Sequence, residues 1–505
     1  IYGDSGALIY RRQKGHINAL LQFAYAFGEE RECLLVRCPS RINLLGMHVE
    51  HRGGYVNPIA IGSELVVVAS SRRDDRFHIR NVESDLFPDT SFALHELLPN
   101  DPQMDWVTFV NHVQIERGHW GNYVRAALLR LQMEFPDKPF CGMDMMVYGD
   151  IPRGAGVSSS SALVVATALA AVNLNRLEVD RKHLTVLCGE GEWYVGTRGG
   201  AGDQGAMLLG KQNCITHMQF FPLHYETIPL PAGYVVVLCR SFVDAHKAAG
   251  ARSVFNERVA TYDIGLMLIR KRYPQLASRI RYLRDVSPGH LGVDDAWIYR
   301  LLQNVPESMN RDELLAILPE ETERLEGLFS THEDPPTGYQ IRQVLLYGIA
   351  ECAKADYAGS LLRRGDIEEF GRLMSISHDG DRVVRYDSKG FAVSHNSEIS
   401  DKDLDRLIEQ CCSDRCPESA KIYRQSGGYA CSHPRVDQIV DILCQIPEVL
   451  GARVTGAGLG GCVVALVPSA YAQEAINALD SQYYGVHGLP EGAEVCVSVE
   501  GACTL

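Results

Sequence analysis

The stretch Gly149-Asp-Ile-Pro-Arg-Gly-Ala-Gly-Val-Ser-Ser-Ser-Ser-Ala-Leu163 constrains this chain more than any other. Apolar residues Met143 to Tyr148 precede it and read as a strand. The Ala/Val/Leu-rich run from Ala162 to about Val172 follows and reads as a helix. The order is therefore strand, glycine-rich turn, serine-rich helix start. Gly154 and Gly156 allow positive φ and a close approach of a ligand to the backbone. Ser158, Ser159, Ser160 and Ser161 can cap the helix and set hydroxyls beside its unpaired N–H groups. Such a helix start binds anions, phosphate above all. The same residues would also make a capped core helix that binds nothing, because glycine turns before helices are common.

At 505 residues the chain has room for roughly two to four domains, each with a sizeable core. Its 46% hydrophobic and 22% charged residues are those of a globular protein. A formal net charge of −14 excludes a general nucleic-acid binder, while leaving room for a local basic pocket. The 15 cysteines are scattered and odd in number, which suits free thiols in a reducing compartment. Cys411, Cys412, Cys416, Cys431 and His433 match no zinc spacing, and scattered core thiols account for them better. No run reaches the roughly 18 apolar residues of a membrane span, and Ile1-Tyr-Gly-Asp does not read as a signal sequence. A soluble, cytoplasmic protein without membrane or nucleic-acid partners is expected.

In chain order, Ile17, Leu20, Leu21, Ala24 and Phe27 space a leading helix within residues 1–31. Cys33 to Pro39 reads as a strand, then Ser40 to Gly46 runs into a polar, glycine-rich segment, Met47-His-Val-Glu-His-Arg-Gly-Gly54. Strand-like runs follow at 55–61 and 65–69. Residues 82–105 read as a loop and 122–133 as a helix. Another helix at 181–196 ends in Gly196-Thr-Arg-Gly-Gly-Ala-Gly-Asp-Gln204. Strands are expected at 214–221 and 234–239. A domain boundary is expected near 225–232, where prolines and glycine punctuate the chain. Beyond it helices dominate, at about 250–273, 296–303, 311–317, 340–362, 366–376 and 434–444, with an irregular stretch at 275–338. Gly456-Ala-Gly-Leu-Gly-Gly461 leads into a strand. It is not a dinucleotide fingerprint, which would open a helix, and no Gly-Lys-Ser/Thr marks a P-loop. Taken singly, the segments around Arg41 to Glu50 and Gly199 to Gln204 fit structural loops as well as sites, although an Asp beside an Arg would be held ionised and fit to orient a hydroxyl.

Together these pieces resemble one family, the GHMP small-molecule kinases, in the galactokinase branch. Cys38 to Gly54 resembles its first signature, Pro152 to Leu163 its phosphate loop, and Val454 to Cys462 its third. Trp120-Gly-Asn-Tyr-Val124, Gly202-Asp-Gln204, Leu362 to His378 and Pro434-Arg-Val-Asp-Gln438 resemble branch companions. The resemblance implies an α+β, two-domain fold: residues 1–228 as a ribosomal-S5-like N-terminal domain and 229–505 as a C-terminal domain with a helical insertion at about 275–338. ATP, Mg²⁺ and a small sugar would meet in the cleft between them, in a monomer or homodimer. By matching positions, Asp203 is the catalytic carboxylate and Arg41 its partner. His48, Glu50 and Gly200 match sugar contacts. Gly154, Gly156, Ser158 and Ser159 belong to the phosphate cradle, Ser160 reaches Mg²⁺ and phosphate, and Trp120 and Tyr123 flank the nucleotide. A sugar 1-kinase is implied, with a catalytically weak sugar sensor as the alternative.

The chain also departs from the pattern. Where galactokinases have Gly-Glu-His-Thr-Asp-Tyr, this sequence has Gly46-Met-His-Val-Glu-His51. Met47 replaces the acid expected near the sugar C6, and Glu50 extends one methylene further than Asp. His51-Arg-Gly-Gly54 is closer to the plant galacturonokinase version, so Arg52 is a candidate for attracting a substrate carboxylate. The Mg²⁺-linked acid falls on Glu190 or Glu192, with Glu192 preferred.

Overall fold

A computed structural model describes residues 1–505 apart from 4, 117, 197, 198, 245–249 and 414; residues 251 and 252 are described by backbone alone. The first half is built on helices α1 (Gly6–Phe27), α2 (Trp106–His112), α3 (Gly121–Glu134), α4 (Ser159–Leu174), α5 (Arg181–Gly191) and α6 (Gly202–Leu209). Its strands are β1 (Leu34–Asn43), β2 (Tyr55–Val56), β3 (Pro58–Ser71), β4 (Arg76–Asn81), β5 (Thr90–Ala93), β6 (Met143–Gly149), β7 (Cys214–Gln219) and β8 (His224–Pro229).

β3 is a long strand because Val66-Val-Val-Ala69 has side chains to bury on both faces. Val66 and Val68 pack with Leu35 and Met146 under Ala19 and Phe23 of α1, whereas Val67 and Ala69 join Val36, Met145 and Val147 in the main core with α4. A sheet covered on both sides reads as continuous apolar sequence, which is why this strand was legible. The buried stripe of α1 is Leu8, Arg12, Gly15, Ala19 and Phe23. The more apolar residues Ile17, Leu20 and Leu21 face solvent instead. Small side chains let the helix lie close to the sheet, where a Cβ on Gly15 would strike Tyr148 at 2.6 Å.

The second half adds β9 (Tyr234–Arg240), β10 (Val384–Tyr386), β11 (Ala392–Ser394), β12 (Gly451–Thr455), β13 (Cys462–Pro468), β14 (Ala493–Val495) and β15 (Cys503–Thr504). Its helices are α7 (Ala251–Arg272), α8 (Pro288–Leu291), α9 (Asp295–Gln303), α10 (Arg311–Ile317), α11 (Thr322–Phe329), α12 (Ile341–Arg363), α13 (Ile367–Asp381), α14 (Asp401–Cys411), α15 (Pro434–Cys444) and α16 (Ala472–Leu479). The four-stranded sheet β12-β13-β9-β14 packs against α15 and α16. The stretch 275–338 is not irregular throughout. It forms short helices that share a separate core with α7, α12 and α14.

Three features differ from the sequence reading. Residues 224–229, inside the expected boundary, form β8 on β7, so the crossing between sheets falls after Pro229. The loop expected at 82–105 contains β5, which pairs with β4 through Phe77 and Phe92. The end of the chain returns to the first half. β15 pairs with β1, giving the order β15-β1-β3-β6-β4-β5, so a division at 228/229 does not hold for the last residues. Arg37 locks that return by donating to the carbonyls of Glu500 and Gly501. Among the described residues no helix is long and apolar enough to cross a membrane.

Two glycine turns meet backbone to backbone where the halves join. Gly456 has φ +85°, and a Cβ there would lie 2.5 Å from the Gly156 carbonyl oxygen. Gly488 has a similar φ of +61° but open space around it. Gly488→Ala is expected to cost about 1 kcal/mol, the strain of a left-handed residue alone. Gly456→Ala should cost roughly 2 kcal/mol more, because backbone must also move. Urea unfolding of the two variants measures the difference.

His217 gives a second expectation. It is buried, stacked on Tyr55 with centroids 4.2 Å apart, and bonded through Nδ1 to Asn57 Oδ1 at 2.8 Å. Burial, with Arg363 adding a smaller push, lowers its titration from 6.5 to about 4. The unfolded chain therefore takes up the proton first as pH falls. The stability this neutral imidazole contributes is present above pH 6.5 and is lost between there and about 4, by at most roughly 3 kcal/mol. His217→Gln should show a smaller loss of urea midpoint between pH 7.5 and 4.5 than the parent protein.

Candidate active site

Arg41 lies on β1, 6% exposed, and its guanidinium gathers three segments. Nε and Nη2 donate to the two oxygens of Asp203 at 2.6 Å each, in a bidentate fork. Nη1 donates to the Gly156 carbonyl at 2.7 Å, and Nη2 also reaches Ser158 Oγ at 2.5 Å. Ser158 in turn donates to Asp203 Oδ2. Asp203 sits in the first turn of α6 and is 35% exposed toward the cleft. Ser158 occupies the cap position of α4 with φ +61°, yet makes no capping bond. Its hydroxyl serves the Arg41–Asp203 pair instead, which corrects the expectation of a serine cap at this position.

The turn before α4 carries φ values of +65° at Gly154 and +76° at Gly156. A side chain at Gly154 would strike Asp244 at 2.7 Å, and one on Gly461 would sit 3.0 Å from the Ala155 carbonyl. Glycine at 456 and 461 thus lets the third glycine loop touch the turn before α4, where a Cβ would press on the Gly156 and Ala155 carbonyls. The cleft they border has a volume of about 1760 Å³.

Apart from Glu190, the candidates for phosphate, metal and sugar contact all line this cleft, Trp120 and Tyr123 as well as Met47, His48, Glu50, Arg52 and Gly200. Gly199 and Gly200 border it too, whereas Thr197 and Arg198 of the same segment lie outside the described residues. Trp120 donates through Nε1 to the Pro88 carbonyl and meets Phe87 edge-on at 5.7 Å. Gly200 lies so close to Glu50 that a Cβ would be 2.7 Å from its Cγ. Burial opposes ionisation of Glu50, but His51, with Nδ1 3.9 Å away, outweighs it and holds the carboxyl below its ordinary range. His51 Nε2 is buried without a hydrogen-bond partner among the described residues.

Two positions behave differently from the sequence reading. Arg52 is neither solvated nor a free cation. It forks onto Asp263 of α7 at 3.0 and 2.8 Å and donates to the Val259 carbonyl, so its charge is already engaged. The choice between the two glutamates also acquires a physical basis. Glu190 turns away from the cleft to Arg130, 2.8 Å away. Glu192 faces the cleft, is 8% exposed, and accepts from Gln204 Nε2 at 2.8 Å. Burial, with the Asp203 charge adding, pushes its carboxyl up to about 7.

Glu192 and Ser160 are oxygen donors of the kind Mg²⁺ takes, and a buried carboxyl pushed up by desolvation is one a cation would hold ionised. Among the described residues no group of three or more His, Cys, Asp or Glu is placed to bind a metal. A Mg²⁺ here would keep water and phosphate oxygens for the rest of its shell, as this ion usually does. Cys411 and Cys416 lie 3.5 Å apart at sulfur, while His433 caps α15.

The sequence reading missed the wall contributed by α7. Phe255, Asn256 and Val259 border the cleft opposite Met47 and His48. It also missed Glu351, although an acid inside the apolar run Leu345 to Cys352 was a readable signal, since a buried charge needs a partner.

The chain is similar to known proteins in both halves. Residues 122–211 match the GHMP kinases N terminal domain, 396–485 the GHMP kinases C terminal domain, and 21–71 the galactokinase galactose-binding signature. The chain is 28% identical over 472 residues to a galactokinase of Roseiflexus sp. (strain RS-1), covering 93% of this chain and 92% of that protein. It is 27% identical to a galactokinase of Dictyostelium discoideum, covering 93% and 88%. The fold matches Lactococcus lactis galactokinase complexed with galactose at a TM-score of 0.66, with 22% identity over 96% of this chain and 98% of that one. The chain thus carries matches to the N- and C-terminal GHMP kinase domains and to the galactokinase galactose-binding signature, and it is similar to galactokinases along nearly its whole length. It has the two-domain, mixed α/β fold of the GHMP kinases.

The contrast between the two glutamates is testable. Glu192→Gln should weaken Mg²⁺-dependent ATP binding roughly tenfold or more, the loss of one charged ligand. Glu190→Gln should leave it within about twofold, as expected for a partly exposed ion pair. Calorimetric titration of ATP with and without Mg²⁺ distinguishes the two.

Proposed function

We propose that this protein is an ATP- and Mg²⁺-dependent sugar kinase that phosphorylates the anomeric hydroxyl of galactose or a C6-altered relative. The observation that carries the reading is the Arg41–Asp203 fork, held between the phosphate-loop turn and the loop that matches the galactose-binding signature. Phosphoryl transfer needs positioning and charge neutralisation more than covalent help. The backbone from Gly154 to Ser159 cradles the phosphates, with the start of α4 behind them. The anomeric hydroxyl takes the place on Asp203 Oδ2 that Ser158 fills in the free protein. Paired with arginine, Asp203 is a weak base. It orients the hydroxyl through the early part of the reaction and accepts its proton late. Ser160 and Glu192 would hold a Mg²⁺ ion, whose chemistry there would be to neutralise phosphate charge.

At the sugar end, His48, Glu50 and the unpartnered Nε2 of His51 offer polar contacts, and Met47 offers a thioether where an acid would meet a C6 hydroxyl. Galactose is favoured over galacturonate, because Arg52, the cation a uronate would need, already shares Asp263.

An ADP-release screen over galactose, galacturonate, glucuronate, N-acetylgalactosamine and arabinose tests the reading. Galactose should be the best of the five, and Asp203→Ala should lower turnover by roughly 10²–10⁴-fold. Wild-type protein that binds a sugar yet releases no more ADP than Asp203→Ala would instead be a sensor.

A further inference from the structure

We propose that Arg453, a residue outside the cleft, is a positioning residue for sugar binding: it holds the 46–48 loop in register with the third glycine loop. This rests on the reading of that loop as sugar-binding.

Arg453 lies on β12, fully buried, directly before Val454-Thr455 and the glycine turn. Its Nε donates to the Val454 carbonyl at 2.9 Å, which fixes the guanidinium to its own strand. Its other two nitrogens point at two different carboxylates. Nη1 is 3.2 Å from Glu351 Oε1 on α12 and also donates to Ser377 Oγ, while Nη2 is 3.1 Å from Asp381 Oδ2 at the end of α13.

Each carboxylate then holds one part of the sugar loop. Glu351 Oε1 accepts the backbone N–H groups of Gly46 at 2.9 Å and Met47 at 3.0 Å. Asp381 Oδ1 lies 3.3 Å from His48 Nε2, an electrostatic contact that fixes the imidazole as it stacks on Tyr429 at 4.5 Å. Lys354, 3.5 Å from Glu351, completes a set of two cations and two carboxylates, all buried. Taking such charges from water is costly, and only close, multiply bonded partners offset it.

The loop needs this support. Gly46 has φ +90° and His48 φ +60°, an unfavourable conformation for a residue with a side chain. Arginine suits the task because one planar fork can address two carboxylates, whereas a lysine ammonium is a single point.

The test compares Arg453→Lys with the parent in two measurements. Steady-state kinetics should show the KM for the preferred sugar rising roughly tenfold or more, with the KM for ATP within about twofold. Hydrogen exchange should show faster exchange in peptides covering residues 44–56 and unchanged exchange at 152–163. Equal rises in both KM values, no change in either, or faster exchange spread through β12 and β13 would each overturn the proposal. If Arg453→Lys does not fold, Ser377→Ala removes one bridge between Arg453 and Glu351. It should move the same sugar KM and the same peptides by about threefold. If the parent protein phosphorylates no sugar, the kinase reading fails, and the exchange data alone decide whether Arg453 holds the loop.

Discussion

The guanidinium of Arg41 is the interaction on which the site depends. It is placed by β1, a strand buried along almost its whole length, so the side chain is set before any ligand arrives. From that point it reaches the first turn of α6, the carbonyl of Gly156 and the hydroxyl of Ser158. A buried arginine with four charge-assisted bonds has few alternative rotamers, and the planar fork sets the plane of the Asp203 carboxylate. Two residues later on the same strand, Asn43 exchanges backbone bonds with the Thr455 hydroxyl, at 3.0 and 3.2 Å. One strand therefore registers the Arg41–Asp203 pair, the glycine turn before α4 and the third glycine turn against each other.

The glycines complete that registration. Gly156 and Gly456 approach so closely that either loop would be displaced by a side chain on the other. Their requirement is thus one of contact as well as of backbone conformation. The sequence signal for the three loops is strong for this reason. Each is a short local pattern whose residues must be glycine or small polar, and local patterns survive in a linear reading. The same holds for α4, apolar all round, and for β3, apolar on both faces. What the linear pattern did not carry was set by partners far away in sequence. Arg52 and Asp263 are 211 residues apart, and nothing near Arg52 announces the pairing. β15 joins β1 across nearly the whole chain through two residue pairs, too short a strand to read from composition. Ser158 looked like a cap because serine before a helix usually is one, and it is diverted by a charged pair contributed from β1 and α6. The buried stripe of α1 was misleading for a related reason. Hydrophobic spacing marks the more apolar face, but the sheet selects the face with small residues at Gly15 and Ala19 and an arginine that can reach Asp150.

The two ends of the cleft are stabilised by different physics. The phosphate end is made of backbone geometry: positive-φ glycines, a helix start and carbonyl contacts, with Arg41 as its buried cation. The sugar end is made of paired charges, with Arg52 on Asp263, Glu50 beside His51, and His48 facing Asp381. Charges already paired in the free protein have little long-range field left, and on the proposed reading they would meet a neutral polyol through fixed donors and acceptors. This suits a sugar better than an anion at that end.

The division also bears on how an acidic protein handles an anionic nucleotide. With a net charge of −14 the chain as a whole offers ATP no attractive field, and at moderate salt its charges are screened beyond about 10 Å, so encounter is not steered by the global field. On the proposed reading, affinity would arise at contact, where N–H groups at the start of α4 would face the phosphates and a divalent cation would cancel charge that the protein does not. Glu192 fits this arrangement because its cost in the free protein, a carboxyl pushed up by burial, is relieved by that cation. On that reading, binding a metal–nucleotide complex would remove the electrostatic penalty that burial places on Glu192, whereas free nucleotide would not. Selectivity for the complex over free ATP would then rest, on the proposed reading, on the burial of one carboxyl beside Asp203, since the described residues hold no dedicated cage of metal ligands.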